Sequence, residues 1–240
     1  MYDIAIIGGS LSGLISAIEL SNNNKICIID INQEIGFPTN FPGLVNDVEL
    51  IKKILATEEL DNLYLNQNKK GWAMRSEWLI KYLTHLSAKK GVEILNRTRV
   101  SNIFYDDSFN IEIIGGGPNN NIIRSKIIID ETRQIHAGPG EKNHKIPIEN
   151  KKIISLETNN KQYFSGIIPT DNIDNLPENL FQINRGDGLT EVWFENQPKE
   201  HLNWIEIKNC NSPSNQNLMI IDDYFNRAKE INIQSLKLLT

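Results

Sequence analysis

An α/β fold is predicted for this 240-residue chain, opening on a parallel βαβ unit and turning β-rich in its second half. Three observations lead there. Residues 3–7 form an apolar, β-branched run that ends at the turn GGSLSG. Leu11, Leu14, Ile15 and Ile18 then recur at helical spacing, and residues 25–29 (KICII) form a second continuous apolar run that ends at Asp30. Unbroken apolar runs of this length are expected of parallel strands buried on both faces.

The first unit carries chemistry because a helix start presents unpaired backbone N–H groups and a partial positive charge. Gly8 permits the tight turn, and Gly13 removes bulk where helix and strand pack closely. Ser10 stands at the middle position of the glycine pattern, where a small hydroxyl still lets a phosphate approach and can donate to it. Asp30 follows Gly8 by 22 residues, placing a carboxylate where it can accept both hydroxyls of an adenosine ribose and repel a 2′-phosphate. A ligand containing adenosine diphosphate is expected, and NADP is disfavoured as its source.

Three stretches, DIAIIGGSLSGLISAIEL, KICIIDINQEIGFPTNFPGLV and MRSEWLIKYLTHLSAKKGVEILNRTRVSNI, occur in order over about the first 105 residues. Together the chain resembles the FAD-dependent oxidoreductases with a glutathione-reductase-type FAD domain, within their geranylgeranyl-reductase and aromatic-hydroxylase branch. The resemblance implies a Rossmann-like βαβ FAD-binding domain containing an antiparallel meander, a smaller β-rich domain and a C-terminal helix. It implies FAD as cofactor and assigns its binding to Gly8, Ser10, Leu11, Ser12, Gly13, Asp30, Ile31, Arg75 and the backbone of Val100, the last beside adenine. Gly36, Pro38 and Gly43 look like the glycine-proline loop that follows strand two in prenyl reductases, with Phe41 and Pro42 where that branch often has a cysteine.

Ser76 reads as an N-cap, Leu79, Leu83 and Leu86 as an apolar stripe, and Gly91 as the helix stop. Arg75 therefore stands at a helix entrance, where its forked guanidinium suits a pyrophosphate. Residues 92–95 read as the third parallel strand. The meander is expected at 100–105, 109–114 and 122–129, with GGGPNNN as a hairpin tip. The last of these strands ends at Asp130, and Arg133 falls where the resembling enzymes have a glycine that lets backbone near the cofactor.

The remainder departs further from that family. Its late Gly-Asp motif finds one match, Gly186-Asp187-Gly188, but the alternation of Leu189, Glu191 and Trp193 with Thr190, Val192 and Phe194 makes the next segment a strand and the glycines a hairpin turn. Strands are expected at 152–157, 162–168, 180–184, 189–195 and 204–208, forming a small antiparallel sheet. Polar connections are expected at 140–150 and 211–217. Tyr163, Phe164, Trp193, Phe194 and Trp204 read as core more readily than as pocket lining. Ile221, Phe225, Ala228 and Ile231 share one face of a terminal helix expected to dock on the body. The expected division is 1–140 for the FAD-binding domain, 141–217 for the β-rich domain and 218–240 for the helix.

Composition narrows the partners. Thirty acidic against 25 basic residues give a net charge of -5, which disfavours nucleic acid and other polyanions. Cys27 and Cys210 read as isolated thiols of a reducing, cytoplasmic setting, and no run is long enough to span a membrane. His85, His136, His144 and His201 lack metal-ligand spacing, so no metal is expected. Neither a GxSxG elbow nor a CxxC pair is present, and no catalytic residue is assigned. The expectation is hydride transfer or oxygen activation on a small apolar substrate, with NAD(P)H a candidate electron donor. The rivals are an FAD- or ADP-binding protein without turnover and an NAD-binding domain that uses the same Asp30.

Overall fold

The computed structural model describes residues 1–134, 144–146, 150–176, 179–198 and 203–239. In chain order its strands and helices are β1 (Tyr2–Ile7), α1 (Leu11–Leu20), β2 (Ile26–Ile29), β3 (Leu44–Val45), α2 (Glu49–Lys52), α3 (Thr57–Asp61), β4 (Asn66–Asn68), β5 (Gly71–Ala73), α4 (Ser76–Lys89), β6 (Glu93–Leu95), β7 (Arg99–Asp106), β8 (Ser108–Ile114) and β9 (Ile122–Asp130). There follow β10 (Ile153–Ile154), β11 (Asn159–Pro169), β12 (Phe181–Asn184), β13 (Leu189–Phe194), β14 (Glu206–Ser214) and α5 (Ile221–Leu239).

Packing divides the chain into two interleaved units: residues 1–38, 80–158 and 224–240 form the first, and 39–79 with 159–223 the second. Segment 39–79 thus groups with the β-rich part of the chain.

The first unit is built on a seven-stranded sheet of order β6-β2-β1-β9-β8-β7, with β10 also paired to β9. β6, β2, β1, β9 and β10 run parallel, and β8 and β7 complete the sheet antiparallel. The expected meander is present, and its last strand lies directly beside β1. Ile4, Ile6, Ile26, Ile28, Ile127 and Ile129 are buried in these central strands, which explains their unbroken apolar runs. The strand expected at 152–157 shortens to β10 and joins this parallel sheet, not the second-half sheet, because Ile153 and Ile154 register with Ile128 and Ile129.

Helix α4 begins at Ser76, so Arg75 is the half-in residue whose carbonyl accepts from the amides of Trp78 and Leu79. Gly91 closes the helix with φ of +84°, and the Val92 amide returns to the Ser87 carbonyl, as in a Schellman ending. In α5 the deepest apolar positions are Ile221, Tyr224, Ala228 and Ile231, with Tyr224 taking the place expected of Phe225. The helix lies along α1: Ser16 Oγ donates to the Ala228 carbonyl, and Asn232 Nδ2 donates to Glu19 Oε2 at 2.6 Å.

The second unit holds a four-stranded antiparallel sheet, β12-β13-β11-β14, and a three-stranded one, β3-β5-β4. The side chains of Asn66 and Asn68 tie the smaller sheet to the carbonyl of Asn184. Strand β14 runs through residues 211–214, because these pair with 159–162 of β11 where a polar connection was expected. Tyr163, Trp193 and Phe194 are buried core residues, with Tyr163 and Trp193 edge to face at 6.3 Å. Gly186 and Gly188 lie in the β12–β13 hairpin turn, where Asp187 Oδ1 accepts the Leu189 amide. Gly43 packs so closely in this unit that a Cβ there would lie 2.0 Å from the Met74 carbonyl oxygen.

Candidate dinucleotide site

Register brings the site together. Ile7 pairs with Ile29 on one side and with Asp130 on the other, so Gly8, Asp30 and Glu131 all emerge from the carboxyl edge of the central parallel strands. In an open parallel sheet the ligand crevice lies at that edge.

The turn has the backbone geometry its glycines require. Gly8 has φ of +103°, and a Cβ there would come within 2.8 Å of the Glu131 carbonyl carbon, so L side chains are excluded twice over. The backbone drawn close at this corner is that of Glu131 and Thr132, next to the position assigned from the resemblance to Arg133. A Cβ on Gly13 would sit 3.2 Å from Ile6 Cγ2, the close helix-strand contact expected of the third glycine. Ser10 caps α1, its Oγ accepting the Gly13 amide at 2.9 Å. Leu11 and Ser12 form the first turn and are buried.

Asp30 closes β2 with its side chain fully buried. Oδ1 accepts the Asn32 amide at 3.0 Å, whereas Oδ2 has no hydrogen-bond partner and rests against Gly9, where a Cβ would come within 2.1 Å of it. Burial pushes this carboxyl above its ordinary range, and the neighbouring amides of Asn32, Gly36, Gly9 and Ile31 draw it partly back. A buried carboxylate oxygen aimed at a glycine turn and left without a donor fits a ribose, whose two hydroxyls would supply donors. Ile31, the next residue, is buried beside it.

The start of α1 is more crowded. Glu131 is 1% exposed, and its Oε2 accepts the hydroxyls of Ser10 at 2.7 Å and Ser12 at 2.5 Å. Arg227, from α5, donates Nε to Glu131 Oε1 at 3.0 Å, Nη1 to Thr158 Oγ1 at 2.8 Å and Nη2 to the Leu156 carbonyl, with Nη2 also 2.9 Å from Glu131 Oε1 as an ion pair. Neither Glu131 nor Arg227 belongs to a motif in the sequence. Their available signals were modest: a glutamate directly after the aspartate that ends β9, and an arginine on the apolar stripe of α5 between Tyr224 and Ala228.

Val100 lies fully buried in β7. Its amide donates to His144 Nδ1 at 3.1 Å, and its carbonyl accepts the Lys145 amide. Burial lowers the pKa of His144 to about 4, with the nearby Asp130 charge opposing and Arg99 assisting.

Arg75 belongs to the second unit. There Nε lies 3.3 Å from Glu77 Oε1 and 3.9 Å from Asp187 Oδ2, and the guanidinium stacks over Trp78 at 5.4 Å. Arg185 grips the same Asp187 through Nε and Nη2. His85 is exposed, while His136 and His201 lie outside the described residues. Among the described residues no group of three or more His, Cys, Asp or Glu is placed to hold a metal, and no helix is long and apolar enough to cross a membrane.

The fold is that of FAD-dependent halogenases and aromatic hydroxylases. Halogenase PltM, solved in complex with phloroglucinol and FAD, superposes with a TM-score of 0.59 at 12% identity, over 99% of this chain and 70% of that one. CabE, an aromatic hydroxylase from angucycline biosynthesis, gives 0.59 at 12% identity over 99% and 64%. The p-nitrophenol 4-monooxygenase PnpA from Pseudomonas putida gives 0.64 at 9% identity over 100% and 80%. This chain thus spans about two thirds of the length of the first two proteins. No protein-family model matches the sequence, and no curated protein matches it.

Proposed function

We propose that this chain is an FAD-dependent oxidoreductase of the oxygen-activating, aromatic-hydroxylase-like kind, acting on a small apolar molecule. The observation that carries the reading is Asp30: a buried carboxylate with one oxygen unpartnered, at the crevice edge of the sheet beside a glycine turn. Similarity in fold to proteins solved with FAD supports the choice of dinucleotide.

In this reading Asp30 and Ile31 hold the adenosine ribose, Gly8 and the 10–13 turn receive the pyrophosphate, and the backbone of Val100 meets adenine. Bound FAD would supply the redox chemistry, and the protein's part is to fix its orientation and exclude water. The second unit itself holds a cavity of about 520 Å³, lined by apolar residues such as Leu44, Phe181 and Ile220 together with the polar Lys70, Glu195 and Asp223, a volume within the range of small-molecule sites. NAD(P)H is the electron donor in this proposal.

The test is the purified protein itself. It should be yellow, release a ligand with the mass of FAD, and bleach under anaerobic NAD(P)H or on reduction in the presence of a phenolic substrate. Asp30→Ala should weaken flavin retention at least tenfold. A colourless protein that takes up no added FAD would refute the proposal.

A further inference from the structure

The phosphate seat at the start of α1 already holds an anion that belongs to the chain. The Ser10 hydroxyl has a single proton and directs it at Glu131 Oε2, while its oxygen accepts the Gly13 amide; Ser12 directs its own proton at the same Oε2. The carboxylate is placed where a helix N-terminus favours negative charge, and Arg227 balances it from the far side. The backbone that carries it packs against Gly8, so any movement of the carboxylate is a movement of the side chain. The two hydroxyls that hold Glu131 belong to this turn, and the field of the helix start that favours its charge would equally favour a pyrophosphate. A diphosphate brought to them meets a like charge at close range in a site closed to water.

Val100 provides a second, separate instance. Its amide, assigned to adenine in the flavin reading, donates instead to the imidazole of His144, and the Lys145 amide takes the Val100 carbonyl. Two groups of the chain, a carboxylate and an aromatic nitrogen ring, thus engage donors that the diphosphate and adenine of the ligand would need.

We propose that Glu131 is a resident anion: held by Arg227, it occupies the phosphate seat of the Gly8–Gly13 turn and must withdraw before the diphosphate of a nucleotide can enter, so that Glu131 sets how tightly the cofactor binds. The proposal rests on the dinucleotide reading of that turn. Withdrawal of Glu131 also releases Arg227, which then becomes a cationic partner for the incoming phosphates.

Calorimetric titrations with ADP, and separately with FAD, on the full chain and on Glu131→Gln test this. Glutamine keeps the shape and the acceptor oxygen for the two serines but removes the charge. ADP should bind Glu131→Gln at least tenfold more tightly than the native chain. The double variant Glu131→Gln with Arg227→Met, which removes the pair as a unit, should fall between them, because the like charge is gone but the freed arginine is gone too. The double variant also carries the test should the single one fail to fold, as judged by far-UV circular dichroism. Equal or weaker ADP binding in the folded variants, or no ADP binding to any of these proteins, overturns the proposal. If ADP binding tightens while FAD does not bind, the resident anion stands and the flavin assignment falls. If FAD binds the native and Glu131→Gln chains equally, the resident anion falls and the flavin assignment stands.

Discussion

Arg227 Nη2 lies 2.9 Å from Glu131 Oε1, and both side chains are almost sealed from solvent, at 6% and 1% exposure. The pair joins α5 to the residue that directly follows the central strand β9. Buried ion pairs gain little over an apolar replacement of both partners, but the loss of one partner leaves a charge uncompensated. Arg227→Met should therefore lower stability by about 3–5 kcal/mol, and adding Glu131→Gln should restore most of that loss. Urea denaturation of the two variants decides: equal losses in both would show that the pair is not coupled.

Gly9 leaves room for the carboxylate beside it. An alanine there places its Cβ 2.1 Å from Asp30 Oδ2 and 2.7 Å from Ile35 Cγ2. With both neighbours buried, Gly9→Ala should cost roughly 2 kcal/mol or more and displace Asp30. Thermal melting should show a drop of several degrees, and a Tm equal to that of the native chain would show that Asp30 moves aside freely.

His144 supplies a pH dependence with a defined sign. Its pKa falls from 6.5 in the unfolded chain to about 4 when folded, so the unfolded state binds the proton first. The contribution is present above about pH 6.5 and is lost as the pH falls toward 4, by at most about 3 kcal/mol. The difference in stability between the native chain and His144→Gln should change across that window and stay level above pH 7. A level difference from pH 7 to pH 4 would contradict the burial of this imidazole.

Glu191 has the opposite sign. It is buried in β13, accepting Trp193 Nε1 at 2.5 Å and the Gly43 amide at 3.3 Å, and burial pushes its pKa upward. A carboxyl whose folded pKa is raised contributes stability below its unfolded pKa and loses that contribution as the pH rises through the folded value. Glu191→Gln keeps an acceptor for both donors, so its stability relative to the native chain should improve between pH 4 and pH 8. Chemical denaturation at the two values checks this, and an identical difference at both would show that the carboxyl titrates normally.

Much of the first unit was legible in the sequence because its signals are local. Residues 2–30 have a strand, a glycine turn, a helix and a strand in the order and at the spacing that period and turn chemistry predict. The helix stop at Gly91, the GGGPNNN tip and the Gly186–Gly188 hairpin were also readable, since each depends on positive φ or turn-forming residues within a few positions. Strand partners were less accessible. The short Ile153–Ile154 segment looks like any second-half strand, and only its neighbour β9 draws it into the parallel sheet.

The sequence by itself determined that a glycine corner between two buried parallel strands precedes an aspartate, because backbone freedom, apolar period and chain order are all properties of neighbouring residues. Only the tertiary structure decided what stands at that corner. Glu131 meets Ser10 across 121 positions and Arg227 across 96. No local preference encodes such distances; they arise because β9 inserts beside β1 and α5 folds back along α1. Burial then turns these meetings into strong constraints, since a charge removed from water must find its partner within the fold.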